Sequence, residues 1–79
     1  MNKFQAMAKI MALLNEDQLL KPGSQVYKMV RQMVSGKIDR LGPEGAMADI
    51  LDNRSELRGQ IKILCMWHRS THRRPPDWW

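Results

Sequence analysis

Cys65, His68 and His72 stand three and four residues apart toward the end of this chain. On a helix, at about 100° per residue, that spacing gathers them within about 60° of arc. A thiolate and two imidazoles on one face form a set that zinc accepts, with a fourth position left open. No second Cys-His cluster is present to close a tetrahedral site, and Arg69, Arg73 and Arg74 nearby repel a cation. The expectation is that no metal and no cofactor is held, with Cys65 a core-edge thiol and the two histidines on the surface. A Cys-His nucleophile pair also needs an oxyanion hole and a cleft, which so small a helical domain hardly supplies. Paired carboxylates, a phosphate loop and a Ser-His-Asp set are all missing from the pattern, so the sequence reads as a non-enzyme.

The same segment, "ILCMWHRSTHRRPPDWW", has better credentials as a binding surface. Trp and Arg are the residue types most enriched in interface hot spots. Trp67, Arg69, Arg73, Arg74, Trp78 and Trp79 are the candidate partner-binding residues, and the two prolines before Asp77 lower the entropy cost of docking an aromatic tip. Trp78 and Trp79 can instead fold back on the domain's own core, which gains much from large aromatics. A nucleic-acid surface is the alternative. Arg58, Lys62, Arg69 and Arg73 lie on neighbouring helix turns, with Arg74 just beyond, where they can meet phosphates, and tryptophans stack on unpaired bases. Against it, "LLKPGSQVYKMVRQMVSG" makes a poor helix-turn-helix, because Pro22 precedes Gly23 and the next helix shows no exposed reading face.

Charge is unevenly placed. Residues 1–53 carry seven Lys or Arg against six Asp or Glu, and residues 54–79 carry six against two. A basic last third suits an anionic partner. With 79 residues there is room for one domain, and a domain this small leans on a partner or staple for stability. One cysteine excludes an internal disulfide and suits a reducing compartment. "MNKFQAMAKIMALL" is interrupted by Gln5 and Lys9, so neither a signal peptide nor a membrane span is expected and the location reads as cytoplasmic.

Helical periodicity accounts for the rest. Phe4, Met7, Met11 and Leu14, widened by Ile10 and Leu13, make an apolar stripe over a helix at 3–14 that Asn2 can cap. Asn15 ends it or caps a further turn carrying Leu19 and Leu20, before Pro22 and Gly23 break the chain. Ser24 caps a second helix at 25–35, with Val26, Met29, Val30 and Met33 inward and Gly36 as its stop. "KIDRLGPEGA" reads as a loop, with Ile38 and Leu41 tucked beneath the domain. Pro43 and Glu44 suit the first turn of a third helix. Met47, Ile50, Arg54, Leu57, Ile61, Leu64 and His68 then form a heptad-like seam over one helix at 44–71, with Asn53 and Ser55 the places where it can break. Unbroken, that helix is about 40 Å long, too long for two short helices to cover unless they lie end to end.

The expected fold is therefore all-α. Two short helices pack on a longer C-terminal one in a single domain at 1–72, followed by an extended basic and aromatic tail at 73–79. The expected function is an adaptor or inhibitor docked on a larger protein or complex. Size and character are those of small regulators, phage and mobile-element proteins among them. A homodimer through the long helix is compatible with the same seam.

Overall fold

The computed structural model describes residues 1–71, all three of whose elements are α-helices: α1 (Lys3–Leu14), α2 (Gln25–Asp52) and α3 (Arg54–Thr71). No strand occurs among the described residues. The expected tail at 73–79, and His72 before it, lie outside them. The radius of gyration is 12.2 Å, close to the roughly 11.6 Å of a folded chain this long.

Asn2 opens α1 with a full capping box: its side chain accepts from the Gln5 N–H at 2.8 Å, and the Gln5 side chain accepts from the Asn2 N–H at 3.2 Å. Asn15 ends it. The Asn15 amide then clamps the following loop from both sides, donating to the Leu20 carbonyl and accepting from the Leu20 N–H. That clamp buries Leu20 and leaves Leu19 outside.

The second helix differs from the expectation. Ser24 caps it as expected, accepting from the Tyr27 N–H, but Gly36 does not stop it. The helix runs to residue 41 and breaks at Gly42, whose φ of 79° and ψ of 165° lie outside the helical range. A glycine ends a helix only by leaving helical φ; Gly36 keeps it and Gly42 does not. Pro43 then starts a second arm, 43–52, in the first-turn position its type suits. Lys37 and Asp49 meet at 2.6 Å across the break. In a straight helix twelve residues span about 18 Å, beyond the reach of the two side chains, so the arms fold toward each other. The stretch read as a loop is thus helical on both sides of a bend. Ile38 is buried as expected, whereas Leu41 is half exposed.

The single helix expected at 44–71 is two. Asn53, at φ −112° and ψ 18°, closes α2, with its side chain donating to the Asp49 carbonyl, and its own carbonyl accepts the Leu57 N–H to start α3. Asn favours such caps over helix interiors because its side chain competes for backbone groups. The core seam survives the break: Ile50, Ile61 and Leu64 are fully buried and Met47 and Leu57 pack beside them. From α1 the core takes Ala6, Ile10, Met11 and Leu14, and from the first arm of α2 it takes Val26, Met29, Val30, Val34 and Ile38. No polar or charged residue is buried among the described ones. Phe4 departs from the expected stripe and is 77% exposed.

Glycine substitutions separate the bend from the straight helix. Gly42→Ala forces a side chain into backbone that L-residues rarely adopt, and chemical denaturation should show a loss of about 1–3 kcal/mol. At Gly36 an added Cβ meets nothing within 4 Å, so Gly36→Ala should instead gain about 0.4–1 kcal/mol.

Candidate functional site

The third helix is apolar on two sides. Ile61 and Leu64 point into the core. Ile63, Met66 and Trp67 fall within about 100° of arc on the opposite side and are 55%, 66% and 40% exposed. Gly59 shares this outer stripe and leaves open space above its backbone. Lys62 and Arg69 border it along one edge. Leu19, held outside by the Asn15 clamp, joins Lys62, Cys65, Met66 and Arg69 around a hollow of about 310 Å³.

The expected basic row is not a uniform one. Arg58 pairs with Asp17 and also lies 3.4 Å from Glu16. Arg54 pairs with Glu16, and Lys62 lies 3.7 Å from Asp17. These contacts tie α3 to the residues just after α1. Exposed pairs each contribute about 0.2–1 kcal/mol, against about 1.5–3 kcal/mol for each buried aliphatic such as Ile61 or Leu64. The apolar contacts therefore hold α3 in place, and the ion pairs set which cations remain outward. Among the described residues no carboxylate pairs with Arg69.

The structure thus places Trp67 and Arg69 on the outer part of α3 and sets Arg58 inward against Asp17. Arg73, Arg74, Trp78 and Trp79 lie outside the described residues. Ile63 and Met66 went unnoticed in the sequence because a search for one seam assigns each helix a single apolar face. The signal was the density of large apolar residues at 61, 63, 64, 66 and 67, too many for one stripe. Glu16 and Asp17, as partners of the basic row, carried no signal beyond their opposite charge.

Cys65 and His68 are each partly buried. Among the described residues no group of three His, Cys, Asp or Glu side chains could hold a metal ion, and no helix is long and apolar enough to cross a membrane. No protein-family model matches the chain, and neither a curated protein nor a solved structure does.

Burial pushes the Cys65 thiol pKa up, with the Arg69 guanidinium pulling weakly the other way. At pH 8 alkylation should run slower than on a free cysteine peptide, since the thiolate is the nucleophile. The folded state holds this proton more tightly than the unfolded one. Its contribution to stability is therefore complete below the unfolded thiol pKa of about 8.5 and fades as pH rises through the folded value. Melting curves from pH 8 to 10 should show Cys65→Ala losing less stability with pH than the parent chain.

Proposed function

We propose that this chain is a non-catalytic interaction protein, an adaptor or inhibitor, that docks on a larger protein through the outer face of α3. Trp67 and Arg69 belong to this surface, and Arg73, Arg74, Trp78 and Trp79, which follow in the sequence, are proposed as further contacts. The observation that carries the reading is the second apolar stripe of Ile63, Met66 and Trp67, opposite a face that the domain already buries. Contiguous apolar surface of this kind, rimmed by polar groups, is typical of protein contact sites. Trp is a frequent anchor and Met an adaptable one. With Arg69 along the edge, the complementary surface is an apolar groove or helix face carrying a carboxylate. Nucleic acid is the weaker reading. Arg58 and Lys62 face Asp17, which leaves Arg69 as the outward remnant of the described basic row.

Affinity capture from a native extract, repeated with Ile63→Glu and Arg69→Glu, tests the proposal. Both positions are exposed, so melting temperature should hold, because surface changes stay within about 0.5 kcal/mol. A specific captured protein should lose about tenfold or more in affinity with Ile63→Glu. Arg69→Glu should weaken it and flatten its salt dependence. Labelled DNA or RNA that binds with a steep salt slope, insensitive to Ile63→Glu, would overturn the protein reading in favour of the alternative.

A further inference from the structure

On another side of the molecule, α1 and the first arm of α2 leave a cleft of about 620 Å³ lined by Phe4, Met7, Met11, Pro22, Tyr27 and Arg31, among others. A smaller hollow of about 420 Å³ continues it, sharing Phe4, Met7 and Arg31 and adding Lys3, Lys28 and Gln32. Neither is lined by a residue of α3. The two hollows run along α1, whose 12 residues span about 18 Å, the length of three helical turns. Phe4 stands between them at 77% exposure. With Met7, Met11 and Tyr27 it gives the cleft a contiguous apolar lining.

Every charged residue lining either hollow is cationic: Lys3, Lys28 and Arg31. Lys3 is engaged by Asp39 at 2.9 Å. Among the described residues no carboxylate pairs with Lys28 or Arg31. The Arg31 Nε donates to the Met7 Sδ at 3.3 Å, which keeps the guanidinium at the groove. The floor is thioether and aromatic, adaptable to side chains of different shape.

We infer that the α1–α2 cleft is a second docking site, and that its occupant is an acidic amphipathic peptide segment from a partner protein. Apolar side chains on one face of that segment enter between Phe4, Met7 and Tyr27, and its flanking carboxylates meet Lys28 and Arg31. This is the helix-in-groove mode of recognition, in which anchors at i, i+3, i+4 and i+7 supply affinity and rim charges select the partner. Two docking faces that share no residue let one small chain bridge two partners.

The probe is a labelled twelve-residue peptide with Leu and Phe at helical spacing and Glu elsewhere, beside a twin carrying Lys in place of Glu. Fluorescence anisotropy on the full chain should show binding of the Glu peptide and none of the Lys twin. Phe4→Ala and Arg31→Glu should each weaken it about tenfold or more with melting curves unchanged. Ile63→Glu should leave it intact, which separates this site from the face on α3. Equal binding to parent and Phe4→Ala chains would overturn the proposal. So would Phe4-dependent binding of anionic vesicles with no peptide binding, or Phe4-dependent self-association in sedimentation, which would assign the cleft to a lipid surface or to a second copy.

Discussion

The bend at Gly42 and Pro43 is the constraint on which the other contacts depend. A straight α2 of 28 residues would be about 42 Å long, and α1 with 12 residues could cover less than half of it. By folding at Gly42 the chain brings Val30, Val34 and Ile38 of one arm and Ala46 and Ile50 of the other into one core with α1. Polar contacts gather at the same corner. Lys37 and Asp49 close it from inside, Lys3 reaches Asp39 on one arm, and the Met1 ammonium lies 3.4 Å from Glu44 on the other. Glu44 lies in the first turn of the second arm, and its carboxyl is held below the usual range by a backbone N–H and by that ammonium. Each of these pairs is weak on its own. The glycine permits the bend, and the apolar arms are what favour it.

Much of this was legible in the residues, and the exceptions share a cause. Local signals read correctly where one residue decides locally, Asn2 and Ser24 as caps and Pro43 as a first-turn residue, whereas at Asn53 the alternating seam outweighed the cap signal and one helix was expected where there are two. Gly36 and Gly42 could not be ranked by type alone. Both can stop a helix, and what separates them is the proline after Gly42, which disfavours a helical residue before it. Phe4 was misplaced because periodicity defines a stripe but not its centre. The core centres on Ile10 and Leu14, so Phe4 falls at its edge and becomes the ridge of a cleft. On α3 the same limit applied in reverse. A single-seam reading found Ile61 and Leu64 and passed over Ile63 and Met66 beside them.

Charge sorting follows from the packing. The basic last third of the chain suggested one continuous anion-binding row, but Glu16 and Asp17, placed by the end of α1, draw Arg54, Arg58 and Lys62 toward the body of the domain. Outward-facing α3 is left with an apolar stripe and Arg69 at its edge. Such a surface suits a protein with complementary apolar and acidic groups better than a phosphate backbone, whose affinity scales with the number of cations presented. The cleft on α1 repeats the chemistry with different residues: methionine and an aromatic inside, cations at the rim. A small domain with two faces of this kind fits an adaptor that joins two partners, or an inhibitor that grips one partner at two places.

The most direct measurement is site-specific photocrosslinking from position 63, with position 55 as the control. Ser55 is exposed on the same helix but sits about 12 Å along it from position 63. A photoreactive residue at 63 should yield one dominant protein adduct, suppressed by unlabelled parent chain and absent when the probe sits at 55. Adducts of equal yield from both positions, or adducts to nucleic acid in place of protein, would contradict the account.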